Sequence, residues 1–458
     1  MSIGETLPLW SIVPFVGMLL SIALFPLIKP DWWEKNQLPV AIAWALIFLV
    51  PFTIAYGFDV TLEQLVETVA GDYIPFIVLL LGLFIVSGGI HVSGTILGTT
   101  RNNVILLALG TALASWIGTT GAAMLLIRPV IRANLWRKHK AHIIIFFIFL
   151  VANMGGCLTP LGDPPLFLGY LRGVPFFWTL GHIWPLLVLN TGILLVAFVF
   201  IDRHFIKKEG KEGLDREEWE EDATEKLPLR IKGLHNLVFL AIIILAVILN
   251  GAIPQTECFL DANGQPYGVD FAGMHFGFNY FLQIGLILLA SFLSMKTTDK
   301  RVRQLNDFEW GPIAEVAKLF IGIFVTMIPA LALLRAYGST LGIDSSLKFF
   351  WCTGALSSFL DNSPTYVVFL TTAGALGSSA ADMVMTTVGA IPAEFLLAIS
   401  AGAVFMGAIT YIGNAPNFMV KNMAESANIK MPSFFGYMGW SIAILVPVFI
   451  VDTIIFFL

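Results

Sequence analysis

The chain has 458 residues, of which 57% are hydrophobic and 12% charged, with a mean hydropathy of +0.83 and a formal net charge of −5. Soluble domains carry about twice that charged fraction, so an ordinary soluble enzyme is excluded, and basic residues confined to a few loops exclude a nucleic-acid binder. What remains is an all-α polytopic membrane protein.

Met1 to Pro30 lacks a basic leader, carries Glu5 and has an apolar run too long for a signal-peptide core, so it reads as the first span. At ~20 residues per crossing, hydropathy places about ten transmembrane helices, at 8–28, 38–57, 73–92, 141–170, 178–202, 234–253, 277–295, 312–335, 394–418 and 436–458. Between the first spans, Thr61 to Ala70 is amphipathic, with Glu63 and Glu67 on one side, and is expected to lie at the outer interface. Two further apolar stretches, 103–135 and 347–374, each have room for two short helical arms with a polar break near the middle, which predicts re-entrant hairpins. Arg203 to Lys232 is a dense mixture of both charges, the pattern of a solvated cytoplasmic linker. In the outer loop Pro254 to Asn279, the spacing of Asp261, Asn263, Gly264 and Asp270 does not fit an EF-hand, and turns are expected there. Cys157, Cys258 and Cys352 are too scattered for a disulfide framework or a metal cluster. His142, His182 and His235 fall near span ends, where interfacial packing is their expected role.

The distribution of positive charge tests the hairpins. With hairpins, one face receives Lys29, Lys35, Arg101, Arg128, Arg132, Arg137, Lys138, Lys140, the linker, Lys296, Lys300, Arg301, Arg303, Lys421 and Lys430, whereas the other keeps Arg172, Arg335 and Lys348. A single crossing at 103–135 would blur that asymmetry. Both termini are therefore expected outside.

Two spans are broken. Asn153 to Pro165 places Gly156, Thr159, Gly162, Asp163, Pro164 and Pro165 inside 141–170, and Met406 to Asn417 repeats the pattern inside 394–418. Gly156, Thr159, Gly162, Asp163 and Pro165 fall on Gly407, Thr410, Gly413, Asn414 and Pro416 at one constant offset. Each break has an upstream companion at a hairpin tip, Ser115 to Gly121 with Gly118, Thr119 and Thr120, and Ser358 to Pro364 with Asp361, Asn362, Ser363 and Pro364. Irregular backbone survives at membrane depth only where it lines a polar cavity or binds an ion. The pattern predicts two inverted repeats, 1–202 and 233–458, joined by the linker 203–232.

At Gly162-Asp163-Pro164-Pro165 and Asp361-Asn362-Ser363-Pro364 the chain resembles the ion transporter superfamily, which includes sodium/proton antiporters of the NhaD type, arsenite pumps, citrate carriers and divalent-anion/sodium symporters of the INDY type. The antiporters are the nearest in pattern, and the resemblance runs through nearly the whole chain. It implies a homodimer, a fixed scaffold with a mobile transport domain, and hairpin tips and helix breaks that jointly coordinate an ion. The dicarboxylate symporters carry Ser-Asn-Thr at each tip. Here the first tip has Gly118-Thr119-Thr120 and the second Asp361-Asn362-Ser363, a change that favours a cation.

Na⁺ prefers oxygen ligands, as harder cations do. Half-helix ends supply carbonyls, and Thr119, Thr120, Thr159, Asn362, Ser363, Thr410, Asn414 and Asn417 supply side-chain oxygens. A buried carboxylate can be neutralised by a cation or by a proton, so one aspartate can hold either, which is the minimal mechanism of antiport. Asp163 and Asp361 are the candidates, and each could instead cap the helix that follows it. Glu315 and Lys318 share a helix face three residues apart and could form a structural pair or relay charge. The reading is a secondary transporter of the bacterial cytoplasmic (inner) membrane exchanging Na⁺, and with it Li⁺, for H⁺, with no cofactor and no enzymatic step. Its rivals are a Na⁺-coupled symporter of citrate or another carboxylate and an arsenite or other metalloid pump.

Overall fold

The computed structural model describes residues 3–94, 96–211, 228, 230–261, 264–377 and 379–458. Among these, nine helices are long and apolar enough to cross a membrane: Leu9–Pro26, Pro30–Tyr56, Phe58–Ser87, Ala141–Leu158, Trp178–Glu209, Asn236–Gln255, Phe278–Thr297, Gly311–Leu341 and Phe434–Phe457. A shorter apolar helix, Ala393–Ile409, occupies the remaining expected span. The protein is a multi-pass, all-α membrane protein. Most of the charged linker, residues 212–227 and 229, lies outside the described residues, as does Asn263.

Which spans face the protein centre follows from their sequence. Ile143 to Val151 is apolar on every side, and such a helix needs cover all round. It has it: 89% of the Ala141–Leu158 window is buried, against 17% for Pro30–Tyr56, which places the first broken helix in the middle and Pro30–Tyr56 at the periphery. The expected interfacial segment at Thr61 to Ala70 is not separate. It opens the continuous helix Phe58–Ser87, in which Val60, Leu65 and Val69 pack on Phe48, Phe52 and Val325. A wider π turn at Glu67–Tyr73 releases the Ala70 carbonyl, which accepts from Tyr280 Oη at 2.7 Å.

Both polar-tipped stretches are helical hairpins. The first has arms Thr100–Ile117 and Thr119–Ala133, with Gly118 at φ +80°, a conformation glycine adopts without strain. The arms return to a common end, where Gly98 N donates to Ala133 O at 2.7 Å and Asn103 and Asn134 exchange amide hydrogen bonds at 2.9 and 2.8 Å. In the second, arms Ser346–Ser357 and Asn362–Ala375 flank the break at Ser358 to Asp361.

Among the described residues, three short antiparallel ribbons join the helices. His91–Ser93 pairs with Arg230–Lys232, and Met383–Thr386 pairs with Gly389–Pro392. In the outer loop, where turns were expected, Gly268–Phe271 pairs with Met274–Gly277. Its connection, Ala272 at φ +48° and Gly273 at φ +80°, has the two left-handed residues of a tight hairpin turn. His142 lies in the first turn of the helix Ala141–Leu150. It is buried beside Asp202, whose Oδ1 lies 2.8 Å from His142 Nε2 and 2.5 Å from Arg137 Nη1, while Arg137 Nε also reaches Glu209 at 3.3 Å.

The breaks are packed backbone to backbone. A methyl group at Gly162 would collide with the Gly156 carbonyl, whereas one at Gly192, in the helix Trp178–Lys211, would meet nothing within 4 Å. Overpacking of this kind costs about 1–3 kcal/mol. Gly162→Ala should therefore lower the thermal midpoint of the detergent-solubilised protein, and Gly192→Ala should leave it unchanged or raise it.

Candidate functional site: four interrupted segments meeting at Asp163

Each broken helix gives way at glycines, Gly155 and Gly156 in the first and Gly407 in the second, and restarts at a proline, Pro164 or Pro416, which suits the first turn of a helix. Ala141–Leu150 passes through the short 3₁₀ turn Met154–Leu158 and restarts as Pro164–Leu171; Ala393–Met406 passes through Gly407–Ile409 and restarts as Ala415–Ser426. The two breaks use the same cross-links to their hairpins. Thr159 Oγ1 donates to Ser115 O, and Thr410 Oγ1 donates to Ser358 O at 2.5 Å. The same threonine oxygens then accept from backbone, Thr159 from Leu161 N at 3.2 Å and Thr410 from Ile412 N and Gly413 N at 3.2 and 3.0 Å. Positions aligned by sequence alone, Thr159 with Thr410, thus make equivalent bonds.

Asp163 precedes Pro164 and Pro165, and neither proline has an N–H to give. Its carboxylate makes no capping bond and points into the protein, 1% exposed. There three neutral donors from three other segments meet it. Thr119 Oγ1 of the first hairpin tip donates to Oδ1 at 3.0 Å, Asn414 Nδ2 of the second break to Oδ1 at 3.2 Å, and Asn362 Nδ2 of the second hairpin tip to Oδ2 at 2.5 Å. The ion pairs found among the described residues do not include Asp163.

Asn153 belongs to the same knot, although it carried no role in the sequence reading. Its Nδ2 donates to Asn417 Oδ1 at 2.7 Å and to Ile148 O at 2.8 Å, and its Oδ1 accepts from Asn414 Nδ2 at 3.2 Å. Asn417 in turn donates to Gly407 O and Thr410 O at 2.8 and 2.9 Å. The signal available in the sequence was a lone amide in an apolar run, where an unpartnered polar group is costly.

Other expected site residues have different surroundings. Asp361 caps the helix Asn362–Ala375, its Oδ1 accepting from Ser363 N at 2.9 Å, one residue away from the Asn362 that reaches Asp163. Asn362 Oδ1 and Ser363 Oγ are buried without a hydrogen-bond partner, which leaves two oxygens beside the carboxylate available to a cation. Thr120 follows Thr119 on the same helix and is half-buried. Glu315 is not drawn to this centre; it accepts from Gln37 Nε2 at 2.6 Å near the start of Gly311–Tyr337, and it makes no close ion pair with Lys318.

The helices Thr119–Ala133, Pro164–Leu171, Asn362–Ala375 and Ala415–Ser426 all begin at this knot. The segments before them end there, so the site receives partial positive charge from four N-termini and carbonyl oxygens from four C-terminal ends.

A family model described as "Putative citrate transport" matches residues 4–457, and the chain belongs to that family. The chain is also 32% identical over 104 residues to protoheme IX farnesyltransferase of Deinococcus radiodurans. That match covers 20% of this chain and 31% of the farnesyltransferase, too short a stretch to carry an activity across.

Asn153 links the first break to both Asn414 and Asn417 of the second, so its removal leaves buried partners unpaired. A buried group deprived of its partner costs about 1–3 kcal/mol. Asn153→Ala is expected to lower the thermal midpoint more than Thr120→Ala does in the same detergent, and equal midpoints would contradict the placement.

Proposed function

We propose that this member of the "Putative citrate transport" family is a secondary transporter that exchanges Na⁺, and with it Li⁺, for H⁺ at Asp163. One observation carries the reading: Asp163 is buried, faces only neutral donors, and has two unpartnered oxygens, Asn362 Oδ1 and Ser363 Oγ, on the neighbouring hairpin tip. An ionised carboxylate in such a place costs several kcal/mol unless a cation or a proton neutralises it. Na⁺ bound by Asp163, the tip oxygens and half-helix carbonyls meets that need on one side of the membrane; a proton on Asp163 meets it during the return.

The four segments that hold Asp163 belong to two halves, 1–202 and 233–458, which in this reading are inverted repeats with re-entrant hairpins. Alternating access then comes from moving hairpins and broken helices together against a scaffold, so that Asp163 faces each side in turn. A homodimer in a bacterial inner membrane, with both termini outside, completes the picture.

A second reading is cation-coupled uptake of citrate or another di- or tricarboxylate. It is favoured by the four helix N-termini at the site, which suit an anion, and by the family description. In that case the cation on Asp163 offsets the carboxylate-to-carboxylate repulsion.

The readings separate in proteoliposomes carrying a pH gradient. Addition of NaCl or LiCl is expected to dissipate the gradient, with KCl and citrate without effect. Asp163→Asn should abolish the response while leaving the protein monodisperse. Asp361→Asn keeps a good helix cap and removes a charge, and is expected to abolish it as well; wild-type exchange in that variant would reduce Asp361 to a cap. Na⁺-dependent uptake of labelled citrate, with no response to NaCl alone, would replace antiport by symport.

A further inference from the structure

Away from Asp163 the protein buries another carboxylate. Asp452 lies in the last helix, Phe434–Asp452, immediately before a π turn at Thr453–Phe457, and is fully buried. Its Oδ2 accepts from Nδ2 of Asn190, also fully buried, at 2.8 Å across the interface with the helix Trp178–Lys211. Among the described residues no ion pair reaches Asp452. On the helices packed against it, Ser346–Ser357 carries Lys348 and the exposed thiol Cys352, and Trp178–Lys211 carries His182. Lys348 pairs with Asp344 at 2.7 Å, and His182 is held by Trp178 O at 2.7 Å.

Two acceptor oxygens of this pair are buried with nothing donating to them, Asp452 Oδ1 and Asn190 Oδ1. An amide and a carboxylate joined by one N–H bond leave that pattern. An amide and a carboxylic acid leave no such pattern, because the acid O–H donates back to the amide oxygen and closes a two-bond ring. A single proton thus satisfies both groups at once, where a buried unpaired carboxylate would be strongly unfavourable.

We propose that Asp452 and Asn190 form a second proton-binding site, in which Asp452 Oδ1 takes up a hydronium proton from the aqueous phase, releasing neutral water, and keeps it as an O–H that hydrogen-bonds to Asn190 Oδ1. The site adjoins the second hairpin. Thr453, next in sequence, accepts from Trp351 Nε1 at 3.0 Å, and Phe350 stacks on Phe457 with centroids 4.5 Å apart. Both Phe350 and Trp351 lie on the arm Ser346–Ser357, whose hairpin carries Asn362 to Asp163. Bulges of the π type often sit beside functional groups, and this one turns Thr453 toward the hairpin.

Infrared difference spectroscopy of the reconstituted full chain reads the proton directly. At pH ~7, well above the ~4 at which an exposed aspartate ionises, the wild type is expected to show a protonated-carboxyl stretch that Asp452→Asn lacks. Asn190→Leu, which removes the amide from both ends of the ring, should shift the frequency of that band or abolish it at the same pH. Identical spectra for wild type and Asp452→Asn in the carboxyl region would overturn the proposal. A band that emerges only after Na⁺ is withdrawn would overturn it too, by making Asp452 a metal-cation ligand. The readout requires no transport, so it stands independently of the exchange assay.

Discussion

The carboxylate of Asp163 and the three neutral side chains that donate to it hold the centre of this protein together. Each donor comes from a different interrupted segment: Thr119 from one hairpin tip, Asn362 from the other, Asn414 from the second helix break. In hydrocarbon none of these breaks could stand alone, because its freed N–H and C=O groups would have no partners. Brought together they satisfy one another, and the surrounding apolar helix Ala141–Leu150 is buried all round as a result. The constraint is mutual: polar breaks need one another as partners, and that needs a fold that delivers four chain ends to one place.

Threonines 159 and 410 show how the hairpins are kept in register with the breaks. Each ties its own break to a serine carbonyl of its hairpin, Ser115 or Ser358. A hairpin and its broken helix are thereby joined as a unit; the Thr119 contact to Asp163 lies within the first unit, while those from Asn362 and Asn414 run between units. Bonds of the first kind suit parts that move together. In the exchange proposed above, those of the second kind give way to the bound cation, since an amide or hydroxyl that donates to a carboxylate can turn its oxygen toward Na⁺ instead.

Much of this arrangement was legible in the sequence, for physical reasons. Spans announce themselves by length and hydropathy, and all ten expected positions hold apolar helices. The breaks were visible because glycine, proline and aspartate are so unfavourable in an apolar helix that their recurrence at one offset needs a cause. Matching Asp163 to Asn414 put the two residues in corresponding places, and in space they touch. What escaped was whatever depends on partners distant in sequence. Asn153 bridges to Asn417 without a counterpart at the matching offset, and Asp452 near the chain end reads as the margin of a span until Asn190 is seen beside it. Capping separates Asp361 from Asp163 only through the prolines that follow Asp163, a distinction the residue types allowed but did not decide. The outer ribbon Gly268–Phe271 with Met274–Gly277 escaped because a short exposed hairpin has little hydrophobic pattern of its own.

The central claim is that Na⁺ and H⁺ compete for Asp163. Equilibrium binding of Na⁺ to the purified protein, followed by calorimetry as pH is lowered, addresses it most directly. Competition at one carboxyl group predicts an apparent Kd that rises toward about tenfold per pH unit in the acid range, since the proton stabilises the cation-free form, and no Na⁺ binding to Asp163→Asn. Na⁺ affinity that is independent of pH, or retained when Asp163 is neutralised, would contradict the account.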